Sequence, residues 1–323
     1  MNAGLLVIIL LLGLAFLGFP IYIALGIGTL AALNMAGMPA LVLPQKLFAG
    51  MNSSSLLAIP FFILAGNIMS RSITVKLIDV ANAIIGWIRG SVAVVTVLAS
   101  ALFGAISGSG VATASAIGGI TIPAMQREGY PSEFSTAIAS ISSILGPIIP
   151  PSITLIVYAS ITNVSVSQLF MGSVIPGILL AGSLIVYALV YGKRKNLPAH
   201  EKQTPKQIGH AFKEGIWALL MPIIILGGIF GGIFTPTEAA AVAVVYALII
   251  SLTVYRDMKL SELPQVFVEA SVSTATIMMM VGLSKASSYV VVTSGLPQQL
   301  LDVFTSITSN RIVILLLLNL LFL

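Results

Sequence analysis

From Ser91 to Met125 the chain runs for thirty-five residues without a charged side chain, and near the middle of that run stands the helix-breaking string SGSG at 107–110. Uncharged apolar stretches of this length belong in a bilayer. Non-helical backbone at that depth is tolerated only where protein buries it or where it lines a cavity. Any fold of this chain must therefore enclose its own break.

Similar apolar runs recur along the 323 residues, and composition agrees: 58% of residues are hydrophobic and 8% charged, against roughly 25% charged in soluble domains. Runs of about 18 or more residues fit helices crossing a core of about 30 Å, whereas a barrel would show alternating segments of about ten. An all-α integral membrane protein follows. No Lys or Arg precedes the first run and no small-residue cleavage site follows it, so it reads as a retained helix. The absence of cysteine excludes disulfides and thiolate metal sites. The net charge of +5 marks topology rather than a nucleic-acid partner, and none is expected.

The pattern predicts helices over about 3–18 and 20–37, a short interfacial segment at 43–50, a span over 55–70 and an amphipathic interfacial helix over 73–88 carrying Lys76, Asp79 and Trp87. Arg89 and Arg127 flank the SGSG segment, so a re-entrant hairpin over about 90–127 keeps both charges on one aqueous face. A helix over about 133–163 is broken by GPIIPPS at 146–152. Further spans are expected at 169–192, 216–234, 237–255 and 268–290, with a polar cytoplasmic loop at 193–215. With a periplasmic N-terminus, twelve of the fifteen basic residues fall inside, leaving Lys46, Lys285 and Arg311 outside.

The two parts of the chain resemble each other. LPQKLF (43–48) recurs as LPQVFV (263–268) and KLIDV (76–80) as QLLDV (299–303), at offsets of 220 and 223, while LGLAFLGFP (12–20) resembles LGGIFGGIFTP (226–236). A first unit that crosses an odd number of times makes its repeat inverted, as in secondary transporters that bind substrate and ion near the midplane. The expected division is a first inverted repeat at 1–192, the loop at 193–215, and a second repeat at 216–323 that is incomplete. The repeat offset places a second hairpin beyond Leu323, so a truncated gene product is expected.

Both breaks expose polar backbone. Glycine permits positive φ at SGSG and leaves carbonyls beside two hydroxyls, a donor set suited to a small hard cation. Pro147, Pro150 and Pro151 lack amide donors and free upstream carbonyls, while the helix resuming after Ser152 offers N–H groups. Facing breaks can hold sodium with neutral oxygens and an anion at helix N-termini. Tight helix packing by small residues is the plainer alternative.

LAIPFFILAGNIM (57–69), SGSGVATASAIGGITIPAM (107–125), GYPSEFSTAIAS (129–140), GPIIPPSITLIVYA (146–159) and FTPTEAAAVAVVYAL (234–248) together resemble the large membrane subunit, of M or DctM type, of tripartite ATP-independent periplasmic (TRAP) transporters. The resemblance covers essentially the whole chain. It implies an inverted-repeat elevator in a bacterial inner membrane that imports small organic acids, such as C4-dicarboxylates or sialic acid, with Na⁺ as coupling ion and no other cofactor. It also implies two partners besides lipid: a small membrane subunit of Q or DctQ type and a periplasmic substrate-binding protein of P or DctP type. The sodium site it implies uses Ser107, Gly108 and Ser109 with Gly146, Pro147 and Pro150. Ser152 and Thr154 are candidates for the substrate side, and Asn67 either lines the substrate cavity or joins helices. The alternatives are a transport-incompetent truncated subunit or a channel-like protein.

Other polar residues read as structural. Glu238 in TPTE fits a capping box, with intramembrane proton carriage as its rival. Lys285 either attracts an entering carboxylate or snorkels. His200 and His210 lack metal-ligand spacing, Trp87 reads as an interfacial anchor, and Met278 to Met280 as a packing seam. No H-E-x-x-H, cysteine or buried Ser–His pattern supports an enzyme.

Overall fold

The computed structural model describes residues 2–199, 203–308 and 310–322, so the expectations for His200 and Lys202 fall outside the described residues. No strand occurs among the described residues. In chain order the helices are α1 (Ala3–Phe16), α2 (Ile21–Met35), α3 (Val42–Met51), α4 (Ala58–Ile85), α5 (Ser91–Ser107), α6 (Gly110–Thr113), α7 (Gly119–Arg127) and α8 (Ser132–Ser143). There follow α9 (Leu145–Ile148), α10 (Ile153–Thr162), α11 (Val166–Arg194), α12 (Pro205–Phe230), α13 (Pro236–Ile249), α14 (Leu263–Thr293), α15 (Leu296–Ile307) and α16 (Arg311–Phe322).

Among the described residues, five stretches, Ser54–Ile85, Val166–Arg194, Pro205–Phe230, Pro236–Tyr255 and Leu260–Thr293, are long and apolar enough to cross a membrane. The pair Ser132–Ile148 and Ile153–Thr162, bent by 46°, adds a sixth if it is one broken span. The chain is a multi-pass helical membrane protein.

Two expectations are corrected. The division of 55–88 into a span and a separate interfacial helix fails, because α4 runs unbroken through Ser70 and Arg71. Its polar groups are satisfied without leaving the helix: Ser70 and Thr74 hydroxyls donate to the carbonyls of Asn67 (2.9 Å) and Ser70 (2.7 Å). Arg71 forks onto both oxygens of Glu269 at 2.9 Å, and Lys76 reaches Asp257 at 2.6 Å. Secondly, the polar segment 193–215 is not all loop, since α12 begins at Pro205. Thr204 caps it and Gln207 reaches back to the Thr204 amide, a capping box with proline at N1. Thr235 and Glu238 open α13 the same way, with the Glu238 carboxylate 2.8 Å from both the amide and the hydroxyl of Thr235.

The repeat segments compare unevenly. LGLAFLGFP and LGGIFGGIFTP both close a helix, pass through a left-handed glycine (Gly18, φ 86°; Gly232, φ 69°) and restart at proline. LPQKLF, however, lies in the ten-residue α3, while LPQVFV opens the 31-residue α14.

The chain divides into two compact units. One comprises Met1–Asn52 and Ala275–Leu323. Val7, Ala32, Leu33 and Val290 form its core, and a buried hydroxyl pair, Thr29 with Ser287 at 2.6 Å, ties α2 to α14. The other, Ser53–Thr274, is built on α4, against which α5, α12 and α13 pack. Burial shows which helix is central: 67% of the apolar window of Ser54–Ile85 is enclosed, against 11% for Val166–Arg194. Ile175, Ile178 and Leu179 of α11 point outward, as lipid-facing side chains do. A second cluster, including Val94, Val97, Met125, Tyr130, Ile138 and Leu145, binds α5, α7, α8 and α9. Burial in this cluster pushes the Tyr130 phenol up to about 12, so it stays neutral at physiological pH.

Candidate functional site

The uncharged segment of 91–125 folds back on itself. Between α5 and α6 the reversal takes two residues. Gly108 stands in the left-handed region (φ 60°) and donates its N–H to the Gly104 carbonyl at 2.8 Å, closing α5 as glycine commonly does. Ser109 is extended (φ −128°, ψ 124°), and its hydroxyl accepts the Ala112 N–H at 3.3 Å, which opens the return leg. That leg passes through a π-helical turn at Ala114–Gly118 and packs back along α5. Arg89 and Arg127 stand at its two feet.

The second break follows the same logic. Helix α9 ends at Ile148, Ile149 is extended, and Ser152 caps α10 with almost the backbone angles of Ser109 (φ −128°, ψ 125°). The Ser152 hydroxyl donates to the Pro147 carbonyl at 2.6 Å and accepts the Leu155 N–H at 3.2 Å. Prolines 150 and 151, joined by a cis peptide bond, offer no competing donors.

The two breaks lie directly against each other. The Ile153 N–H, first in α10, donates to the Gly108 carbonyl at 3.3 Å. Glycine makes the approach possible. A Cβ on Gly108 would stand 2.7 Å from the Pro151 oxygen, and one on Gly104 2.8 Å from the Gly146 Cα. On Gly146 it would stand 2.8 Å from the Ser109 oxygen and 2.9 Å from Thr113 Oγ1. A Cβ on Gly110 would meet Pro147 Cδ and the Ser143 oxygen, both at 3.3 Å. Helix α4 closes a third side, where a Cβ on Gly66 would be 3.2 Å from the Ser107 Cα. All these groups belong to one compact unit.

Three oxygens converge at the hairpin tip. Thr113 Oγ1 lies 2.8 Å from the Ser109 carbonyl oxygen, while Ser107 Oγ lies 3.4 Å from Thr113 Oγ1 and 3.5 Å from that carbonyl. Ser107 and Thr113 are buried. Oxygens at about 2.4 Å around a hard cation stand about 3.4 Å apart when at right angles, so the two Ser107 spacings fit, while the 2.8 Å pair is a hydrogen bond from Thr113 to the Ser109 carbonyl. The donors are uncharged, and no group of three or more His, Cys, Asp or Glu able to hold a metal occurs among the described residues. Such a set suits a monovalent cation, which needs no carboxylate to balance it, and so fits sodium.

The structure thus brings Ser107, Gly108, Ser109, Gly146, Pro147 and Ser152 together, while Pro150 enters only as the residue before Pro151, whose oxygen faces Gly108. Ser152 is fully enclosed and its hydroxyl committed to the cap, whereas Thr154, two residues on, is exposed in the first turn of α10. Asn67 is half-buried beside the Gly66 contact with the tip. Sequence reasoning missed Thr113. Its signal was its place four residues after Ser109, where a hydroxyl turns back to the carbonyl that begins its helix.

A family model described as "Tripartite ATP-independent periplasmic transporter, DctM component" matches residues 7–323. Protein YgiK of Salmonella typhimurium is 40% identical over 311 residues, 95% of this chain and 71% of that protein. The C4-dicarboxylate TRAP transporter large permease protein DctM of Pseudomonas aeruginosa is 42% identical over 275 residues, covering 85% of this chain and 64% of its own length. For the sialic acid TRAP transporter large permease protein SiaM of Vibrio cholerae the identity is 36% over 314 residues, 97% of this chain and 74% of that protein.

Proposed function

Because the chain belongs to the DctM component family of tripartite ATP-independent periplasmic transporters, we propose that this TRAP large permease subunit carries out sodium-coupled import of a small organic acid across the inner membrane. The relatives' names point to anionic substrates, a C4-dicarboxylate in one and sialic acid in another. The partners in this reading are a small membrane subunit and a periplasmic binding protein that delivers the acid.

The observation that carries the reading is the Ile153 to Gly108 hydrogen bond, which couples the hairpin tip to the start of α10. Ser107, Ser109 and Thr113 supply the cation's oxygens, and Gly146 and Pro147 hold the opposing backbone against them. A sodium ion held there would add positive charge beside the N-terminal end of α10, where the helix dipole already favours an anion. In this reading Thr154 and Asn67 hydrogen-bond a substrate carboxylate or hydroxyl. Ordering the tip orders the α10 terminus through the shared hydrogen bond, so occupancy of one site favours the other. By linkage each ligand raises the other's affinity equally, typically 5–150-fold. The loaded tip and bend then move together as part of an inverted-repeat elevator.

The test is uptake into proteoliposomes containing this chain and the small membrane subunit, with the binding protein and a labelled C4-dicarboxylate or sialic acid outside. An inward sodium gradient should drive accumulation of at least one acid, and an equal potassium gradient should not. Sodium-independent accumulation, or ion flux without acid as a channel would give, overturns the proposal.

A further inference from the structure

In the unit that joins Met1–Asn52 to Ala275–Leu323, α3 and α14 form an open pocket of about 380 Å³ lined by Lys46, Ala49, Gly50, Lys285, Ser288, Tyr289 and Val292. Lys46 and Lys285 bring two ammonium groups to its lining. Both lysines are half-buried and held in place. Lys46 Nζ lies 4.1 Å from the Tyr289 ring centroid, a cation–π contact. The stem of Lys285 lies on Gly50, where a Cβ would meet its Cβ at 2.7 Å and its Cγ at 2.8 Å. A Cβ on Gly282, one turn earlier, would stand 3.0 Å from Leu47 and 3.1 Å from Met51, so α3 is seated on α14 and fixes the course of that stem.

We propose that this pocket binds the phosphate of an anionic phospholipid. Depth supports a lipid source. The 31 residues of α14 measure about 46 Å, close to a bilayer with its headgroups, and Lys285 lies roughly 12 Å from the helix's last residue. That is near the boundary where hydrocarbon meets headgroup, so its ammonium reaches phosphate level. The surroundings are amphipathic in the same sense. Ser288 adds a hydroxyl beside the lysines, while Phe48 on α3 and Val292 on α14 are 67% and 61% exposed, offering apolar surface to acyl chains. The site is separate from the sodium and substrate reading and stands if that reading fails.

Native mass spectrometry of the detergent-purified chain, titrated with phosphatidylglycerol or phosphatidylcholine, tests the proposal. Wild type should prefer phosphatidylglycerol. Lys46→Gln with Lys285→Gln should lower that affinity about 25-fold, at about 5-fold for each lysine near an anionic surface, and Lys46→Arg with Lys285→Arg should keep most of it. If the double glutamine variant does not fold, Tyr289→Leu keeps both charges and should lower affinity about 2- to 5-fold by releasing Lys46. Unchanged phosphatidylglycerol affinity in the double glutamine variant or in Tyr289→Leu overturns the assignment. So does displacement of the lipid by inorganic phosphate or succinate, which would mark a site for a soluble anion.

Discussion

Gly108 and Ile153, forty-five residues apart, share one hydrogen bond: the first amide of α10 donates to the carbonyl at the hairpin tip at 3.3 Å. Gly108 provides that carbonyl only because it adopts φ 60°, and its missing side chain leaves room for the Pro151 oxygen. The tip and the bend are therefore one structural object.

Gly108→Ala should damage that object in two ways. Left-handed backbone costs a non-glycine residue roughly 1–2 kcal/mol, and the new Cβ would stand 2.7 Å from the Pro151 oxygen. Gly129→Ala isolates the first effect, since Gly129 has φ 86° and open space around it. Both should lower the thermal midpoint, while only Gly108→Ala should abolish sodium-driven uptake.

The glycine contact between α5 and the bend makes a second contrast. Gly104→Ala brings a Cβ to 2.8 Å from the Gly146 Cα and should cost about 1–3 kcal/mol through overpacking. Gly119→Ala, helical with nothing within 4 Å, should stabilise by about 0.5–1 kcal/mol. Thermal unfolding in detergent separates them. Equal effects would mean that the close approach does not constrain the fold.

These positions show what the sequence disclosed. SGSG and GPIIPPS were legible as breaks because glycine and proline act through the local backbone, whatever surrounds them. That Gly108 meets Pro151 and Gly104 meets Gly146 was not legible, since nothing local encodes which break faces which. Thr113 carried one local signal, its place four residues after Ser109, but that spacing alone does not distinguish a threonine at the tip from one that faces lipid. The unbroken course of α4 was missed because Arg71 and Lys76 resemble the end of a span until Glu269 and Asp257 are seen beside them. The start of α12 was encoded by Thr204, Pro205 and Gln207, the same signature that marked α13 at Thr235, Pro236 and Glu238, but the charge of the surrounding segment masked it.

Thr113→Val should remove the hydroxyl that donates to the Ser109 carbonyl at 2.8 Å while keeping the volume. A loss of about 1 kcal/mol in stability is expected, with a larger fractional loss in sodium activation of uptake. Thr113→Ser should restore both. A valine variant with unaltered sodium activation would remove Thr113 from the site.

The helix caps supply the opposite profile. Thr204→Ala and Thr235→Ala should each destabilise by about 1 kcal/mol through loss of an N-cap, leaving the sodium concentration for half-maximal uptake unchanged. A shift in that concentration for Thr235→Ala would point to a role for the start of α13 in ion coupling.

If uncharged oxygens at the tip hold sodium, a sodium titration of thermal unfolding reads the binding out without transport. A ligand bound only to the folded state stabilises it in proportion to the logarithm of its concentration once sites fill. The purified chain should gain stability from sodium chloride beyond that from potassium chloride at equal ionic strength, and Ser107→Ala combined with Thr113→Val should lose that difference while remaining folded. An equal sodium-specific gain in the wild type and the double variant would contradict the account.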